Sequence, residues 1–224
     1  TWTVPNVSMT GVADGAYNVY ALITSAVTGL TSTQSSALNV TLDTTAPTYT
    51  SIAANNLNAP TGTDFSFDIQ YADSGSGWDK FTFDLNNVTV TGPVGALTVT
   101  SGGFDEITGV ATYTVEAPHS GVWNSATDAG TYTIAVKGNS FKDLAGNAVA
   151  AVSSAKTFTV SFPALIFTSG ATGSVAENAT TSTVVYTAAA TDPANNPLTY
   201  SLSGTEATAF NINSSSGAVT LVNS

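Results

Sequence analysis

The sequence of 224 residues contains no cysteine and no arginine, and its four lysines carry all of the positive side-chain charge. The absence of cysteine excludes disulfide bonds and thiolate chemistry, so a small extracellular domain of this sequence must be stabilised in another way. No apolar run approaches the roughly 18 residues that a membrane-spanning helix requires. Charged residues make up 8% of the sequence, about a third of the usual share of roughly 25%.

The charge balance is strongly acidic, with a formal net charge of −11 at pH 7. Nucleic acids and anionic membranes are bound by basic patches, so we expect neither as a partner. An acidic surface suits a protein that binds calcium, or one that repels its neighbours in a crowded surface layer. Because the sequence begins at Thr1 and shows no signal peptide, we expect an internal fragment whose secretion signal and anchor lie elsewhere.

The sequence is rich in alternation of apolar and polar residues at a period of two, which is typical of β-strands. In the clearest run, Phe65, Phe67, Ile69 and Tyr71 alternate with polar residues. Glycine, asparagine and proline clusters separate the runs, as turns do. Further runs lie at residues 17–23, 38–42, 132–136, 158–162 and 198–202. The pattern predicts an all-β protein built of β-sandwich modules.

The runs divide the chain into three uneven parts. Residues 47–162 suffice for one complete Ig-like sandwich of about 100 residues, whereas residues 1–46 and 163–224 fall short. The connector Asp43–Pro47 separates the first two parts, because proline lacks the amide donor that would continue a strand. The outer parts are either fragments of modules, which is the interpretation we prefer, or halves completed by strands from other chains.

Two stretches of motifs resemble bacterial Ig-like repeats. Residues 1–46 resemble the C-terminal half of such a repeat, through Trp2-Thr3-Val4, Asp14–Val19 and the Asp43–Pro47 connector. Residues 64–162 look like another extracellular bacterial module. Its motifs are Tyr71–Gly75, Val88–Pro93, Ala111–Tyr113, Gly130–Ile134 and Asp143–Asn147.

The last part of the chain is similar to the first half of a cadherin-like repeat. Its motifs are Ala176–Asn178, Ala190–Asp192, Pro197–Leu202, Phe210–Ile212 and Gly217–Leu221. Taken together, the three resemblances imply tandem repeats of a giant bacterial surface protein or adhesin. In the cadherin-like part, the resemblance implies Glu177 and Asp192 as calcium ligands. Asn196 offers an amide oxygen, but Ala194 stands where the family has an acidic residue.

The residues themselves offer two further groups of calcium ligands. Asp68, Asp73, Asp79 and Asp84 flank the loop Ser74–Gly77, which could fold back and bring their oxygens together. In the alternative, each aspartate serves a solvated turn through its own backbone.

Asp43 and Asp143 form the second group, where the ends of the first two modules would meet. For Asp143, the alternative is a turn that precedes Gly146-Asn147.

Residue types that serve catalysis are present, but the sequence does not pair them. His119 is the single histidine, so zinc binding and a catalytic triad lack partners. Nothing in the sequence places Glu106 and Glu116 in a cleft at the separation that glycosidases need. We therefore expect no enzyme. Trp78 is a candidate contact for a glycan, with burial at the end of the sandwich as the alternative, and we expect Trp123 in the core.

We expect a structural extender, or stalk, of a long bacterial cell-surface adhesin, stiffened by calcium where neighbouring modules of the same chain meet. Two alternatives stay open. The chain could be a subunit of an extracellular filament, with identical chains completing one another's sandwiches by strand exchange. It could also be a module that binds a glycan or a protein near Trp78.

Overall fold

The computed structural model describes residues 9–58, 62, 64–123, 127–193 and 196–223. Strands dominate this part of the chain, so the predicted all-β class is confirmed. The strands in the first part are β1 (Gly15–Val19), β2 (Leu38–Leu42), β3 (Thr48–Ala53), β4 (Leu57–Asn58), β5 (Asp64–Ala72), β6 (Trp78–Asp79), β7 (Val88–Gly92), β8 (Gly95–Leu97), β9 (Val99–Asp105) and β10 (Val110–Glu116).

The later strands are β11 (Gly130–Val136), β12 (Lys142–Asp143), β13 (Val152–Ser161), β14 (Ile166–Phe167), β15 (Val184–Thr187), β16 (Ala190–Thr191), β17 (Phe210–Ile212) and β18 (Ala218–Leu221). In the part of the chain that the structure describes, helical structure is limited to single turns: α1 (Pro118–Gly121) and the 3₁₀ turns Lys80–Thr82, Leu85–Asn87 and Ala207–Ala209. None of the helices in the described ranges has the length and apolar character needed to cross a membrane.

The chain divides into two compact units. Unit 1 comprises Thr1–Asn56 and Gly62–Phe158, and unit 2 comprises Leu57–Thr61 and Thr159–Ser224. The predicted modules 1–46, 47–162 and 163–224 remain a prediction.

Unit 1 contains a two-layer sandwich. One sheet has the order β3-β5-β10-β9, and the other contains β13-β11-β7-β8. In β5 the alternation predicted from sequence is confirmed, because Phe65, Phe67, Ile69 and Tyr71 are buried while their neighbours are exposed or half-buried. Phe158 of β13 stacks on Phe65 with ring centroids 4.1 Å apart. This contact joins the two sheets through an aromatic core.

One end of the sandwich is closed by aromatic side chains around β6. Asp143 of β12 pairs with Trp78 of β6, and the Trp78 ring stacks on Phe141 at a centroid distance of 5.7 Å. Trp123, predicted to lie in the core, is buried and packs edge-on against Tyr132.

Strands β1 and β2 form a two-stranded sheet of their own, here called the ribbon. Tyr17 lies opposite Val40 and Val19 lies opposite Leu38, so these apolar side chains share one face. Leu38 is 64% exposed. A two-stranded ribbon is only marginally stable alone in water, so its attachment to the sandwich matters for the unit as a whole.

Unit 2 contains smaller sheets. Strands β14 and β16 form a pair, and β15, β18 and β17 form a three-stranded sheet. The segment Leu57–Asn58 runs parallel to Val160–Ser161. An apolar cavity of about 340 Å³ lies beside the three-stranded sheet and is lined by Val185, Phe210 and Val219.

Candidate metal centre

Three aspartates from separate segments of unit 1 converge at the aromatic end of the sandwich. Asp43 follows β2, Asp73 follows β5, and Asp143 ends β12. One carboxylate oxygen of each lies within 4.8 Å of the others. We call this group the acidic triad. It joins two predicted groups of ligands. Asp43 and Asp143 form one group, and Asp73 belongs to the aspartates that flank the loop Ser74–Gly77, here called the Gly-rich loop.

Asp43 is held between the connector and the Gly-rich loop. Its Oδ1 accepts a hydrogen bond from the amide of Thr45 at 3.0 Å, and its Oδ2 accepts one from the amide of Ser76 at 2.7 Å. The side chain is buried. The hydrogen bonds from Ser76 and then from Thr45 hold the pKa of Asp43 below its usual range. This carboxylate is therefore ionised at neutral pH and fixed in place.

Asp143 is also buried, and Asn147 holds both of its oxygens. The Asn147 amide donates to Oδ1 at 2.8 Å, and the Asn147 side chain donates to Oδ2 at 2.8 Å. The same side chain donates to the backbone carbonyl of Asp43 at 3.0 Å. The turn that the sequence offers as the alternative for Asp143 is thus present, and it holds the Asp143 carboxylate beside those of Asp43 and Asp73.

Asp73 is the member with an unused oxygen. Its Oδ2 accepts hydrogen bonds from the amides of Gly75 at 3.1 Å and Gly77 at 2.9 Å. Its Oδ1 is buried and has no hydrogen-bond partner. A buried acceptor without a partner is costly, and such an atom calls for a ligand.

Among the described residues, no lysine or histidine forms an ion pair with the triad. The ion pairs found in the described ranges are Lys80–Glu106 and His119–Asp128, and neither involves a triad residue. Three carboxylates in close approach repel one another unless a cation or protons neutralise them. A site of oxygen donors alone, on loops, suits a hard divalent cation such as Ca²⁺.

Gly75 permits the close approach of the loop to Asp43. A Cβ atom at position 75 would lie 2.3 Å from the Asp43 Cγ and 2.3 Å from Oδ2. Carbon atoms normally approach to about 3.5–4.0 Å, so any larger residue would displace the carboxylate. Sequence reasoning identified the Gly-rich loop but did not assign Gly75 this role.

The other three aspartates predicted around this loop do not join the triad. Asp68 lies on the outer side of β5, where it accepts a hydrogen bond from Thr112 Oγ1 at 2.6 Å. Asp79 and Asp84 cap the 3₁₀ turns Lys80–Thr82 and Leu85–Asn87 through the amides of Phe81 and Asn86. Of these four aspartates, the structure brings Asp73 alone into the triad, because strand parity and local capping direct the others elsewhere. A metal role for Asp68, Asp79 or Asp84 stays a prediction.

In unit 2, the side chain of Asn196 donates to Asp192 Oδ2 at 2.9 Å. Glu177 is exposed and precedes Asn178, whose φ of 63° marks a turn. No group of three acidic or histidine ligands forms in the described part of unit 2. Calcium binding there stays a prediction, and Ala194 lies outside the described residues.

Trp78 and His119 have partners that sequence reasoning did not assign. Trp78 is half-buried, stacks on Phe141 and meets Phe104 edge-on at 5.5 Å. Its packing thus follows the burial alternative, and a glycan contact stays a prediction. His119 Nδ1 lies 2.9 Å from Oδ1 of the fully buried Asp128. The sequence pattern did not reveal this contact.

Comparison with known proteins shows little at the level of sequence. No family model matches the chain, and no curated protein matches it.

Among solved structures, the chain is similar to domains 1–6 of the surface layer protein SbsC, with 23% identity and a TM-score of 0.35. That match covers 56% of this chain and 15% of SbsC domains 1–6. It is also similar to EC1-3 of mouse clustered PcdhgC3, with 13% identity, a TM-score of 0.34, and 94% of this chain and 66% of that chain covered. These values are too low to carry any inference about function.

Proposed function

We propose that this chain is a structural extender segment of a long extracellular protein, and that calcium held by the acidic triad stiffens it. The observation that carries the proposal is the triad itself, with the unpartnered buried Oδ1 of Asp73. Asp43, Asp73 and Asp143 would hold the ion. The partners of the segment would be neighbouring modules of the same chain, and its location would be the bacterial cell surface.

Calcium is favoured over other divalent metals by the donors. The triad presents carboxylate oxygens and neither histidine nor cysteine, and such ligands suit Ca²⁺ or Mg²⁺ better than Zn²⁺. Mg²⁺ demands near-ideal octahedral geometry and keeps several waters, whereas Ca²⁺ accepts flexible loops and irregular coordination. The triad lies on the connector, just after β5 and at the end of the two-residue strand β12, and this irregular arrangement fits Ca²⁺.

The mechanical consequence follows from where the ligands lie. Asp43 belongs to the connector between the ribbon and β3, while Asp73 and Asp143 belong to the sandwich. An ion shared by the three would tie the connector to the sandwich and restrict the hinge between them. A stalk that resists bending holds a distal part of a surface protein away from the cell. No catalytic role is part of the proposal.

Thermal unfolding with calcium and then with excess EGTA tests the proposal. At a free calcium concentration of 100 times Kd, binding to the folded state alone adds about 2.7 kcal/mol. For a protein of this size, that raises Tm by about 5–11 °C. Asp73→Asn should abolish the shift, and Asp64→Asn on the exposed start of β5 should keep it. An unchanged wild-type melting curve would refute the calcium role.

A second candidate function is a filament subunit completed by strand exchange. The observation that favours it is the apolar face of the ribbon, where Val19 is 49% exposed and Leu38 is 64% exposed. Such a face gains stability from a covering sheet. Sedimentation velocity at rising concentration distinguishes the candidates, because a filament subunit assembles and an extender segment stays monomeric.

A further inference from the structure

Asp14, at the start of the ribbon, binds the connector through hydrogen bonds. Its carboxylate accepts three hydrogen bonds: from the Thr44 amide at 3.0 Å, from Thr44 Oγ1 at 2.8 Å and from Thr45 Oγ1 at 2.9 Å. Asp14 directly precedes β1, and Gly15 pairs with Leu42 at the end of the ribbon. One side chain of the ribbon thus fixes two consecutive residues of the connector.

Residues of the sandwich also bind the connector through hydrogen bonds, at Asp43. The Ser76 amide donates to the Asp43 carboxylate at 2.7 Å, and the Asn147 side chain donates to the Asp43 carbonyl at 3.0 Å. The acidic triad lies among these contacts. The connector is therefore held by the ribbon at Thr44 and Thr45, and by the sandwich at Asp43.

We propose that Asp14 is a positioning residue that transmits metal occupancy of the acidic triad to the ribbon. Asp14 does not ligate the metal in this proposal; it binds the two residues that follow the ligand Asp43. When the triad is occupied, Asp43 is fixed against the sandwich, and Asp14 extends that constraint to β1 and β2. The inference rests on the calcium role proposed above and adds a route by which calcium stiffens the chain.

Energetic coupling of this kind is reciprocal. If calcium restricts the ribbon through Asp14, then Asp14 must strengthen calcium binding by the same factor. Coupling free energies between sites usually correspond to factors of about 5–150 in affinity. We therefore expect removal of the Asp14 contacts to weaken calcium binding roughly fivefold or more, although the three ligands are intact.

Two substitutions at Asp14 separate hydrogen bonding from charge. Asp14→Ala and Asp14→Asn remove the same negative charge, and so weaken the long-range attraction for calcium equally. Asparagine can still accept from the Thr44 amide and Thr45 Oγ1, and its side-chain amide can donate to Thr44 Oγ1, since a hydroxyl serves as donor or acceptor. A double variant, Thr44→Val with Thr45→Val, removes two of the three contacts and leaves the charge in place.

The control is Asp105→Ala. Asp105 also accepts a hydrogen bond from a backbone amide, that of Ile107 at 2.9 Å, and it lies at the end of β9, not on the ribbon or the connector. It should change neither calcium affinity nor the ribbon.

The readout is a distance distribution between spin labels on the ribbon and on the sandwich. Because the sequence has no cysteine, labels can be placed uniquely at Asn18→Cys on β1 and Ser101→Cys on β9, both at exposed positions. We expect calcium to narrow the distribution in the wild type and in Asp14→Asn. In Asp14→Ala and in the Thr44/Thr45 double variant, we expect the narrowing to be lost, while calorimetry still detects bound calcium with reduced affinity.

The outcomes separate the two proposals. If calcium narrows the distance distribution of Asp14→Ala as it does that of the wild type, Asp14 does not transmit metal occupancy to the ribbon. The inference is then overturned, while the calcium site stands. The same holds if calcium binds the wild type without changing the distribution. If calorimetry detects no calcium binding by the wild type, the proposed function fails and this inference fails with it.

Discussion

Replacing Gly75 by alanine tests the acidic triad without touching any of its carboxylates. The new Cβ would lie 2.3 Å from the Asp43 Cγ and 2.5 Å from Oδ1. Because carbon atoms approach to about 3.5–4.0 Å, the loop and Asp43 must separate by about 1.2–1.7 Å. Calcium–oxygen distances span only about 2.3–2.6 Å. The displacement therefore exceeds what the site can absorb, and Asp43 is lost as a ligand.

The size of the effect follows from mass action. Disturbing the surroundings of a metal ligand typically weakens affinity about 10–100-fold. At a calcium concentration of 100 times the wild-type Kd, a 100-fold loss reduces the stabilisation from about 2.7 to about 0.4 kcal/mol. In Tm, the calcium shift falls from about 5–11 °C to about 1–2 °C. Without calcium, Gly75→Ala should still unfold cooperatively, because position 75 lies outside the buried core of the sandwich.

Gly103→Ala is the matched control. Gly103 also has a φ that alanine adopts freely, and a Cβ there meets no atom within 4 Å. This variant should keep the full calcium shift, which we would measure by circular dichroism or calorimetry with calcium and with EGTA. A wild-type calcium shift in Gly75→Ala would refute the placement of Asp43 in the metal site.

Three further predictions concern stability. A hydrogen bond from the Thr44 amide holds the pKa of Asp14 below its usual range, and one from the Ile107 amide does the same for Asp105. Both carboxylates therefore stabilise the fold above the unfolded pKa of about 3.9, and this stabilisation is lost as pH falls through the lower pKa values of the folded state. NMR titration midpoints at or above about 3.9 for these two residues would contradict the lowered pKa values. The buried hydroxyl of Tyr113 lies beside that of Tyr71 but makes no hydrogen bond of good geometry, so Tyr113→Phe should raise the free energy of unfolding by about 1 kcal/mol in urea titrations, and a loss of stability would show that the two hydroxyls stabilise each other. Phe158→Ala removes the ring that stacks on Phe65 and should cost about 3–5 kcal/mol in the same assay, whereas a cost below about 1 kcal/mol would contradict its place in the core.

Local patterns in the sequence predicted the sandwich because strand alternation is a local property. The apolar residues of β5 alternate without a break from Phe65 to Tyr71, and all four are buried. The same parity places Asp68 on the opposite face of β5 from those four residues. The motif Asp143–Asn147 predicted a turn or a ligand; the structure shows the turn and places the Asp143 carboxylate in the acidic triad, and its role as a ligand stays a proposal.

The rest of the site depends on contacts between distant segments. Nothing local to Asp14 indicates that it binds Thr44 and Thr45, because only the pairing of β1 with β2 brings them together. Gly75 resembles any other glycine of the loop until the position of Asp43 is known. The contact between His119 and Asp128 likewise depends on the tertiary fold and has no local signal in the sequence. Sequence reasoning supplied the ligand types, and the tertiary fold decided which of them converge.

The measurement that tests the central claim most directly is a calcium titration followed by amide NMR. The amides of Thr45, Ser76 and Asn147 donate to triad carboxylates, so their signals report on the site itself. We predict that these three signals shift together, follow one common binding curve, and return on addition of EGTA. Unchanged signals at these amides at calcium concentrations that saturate the protein would contradict the proposed centre.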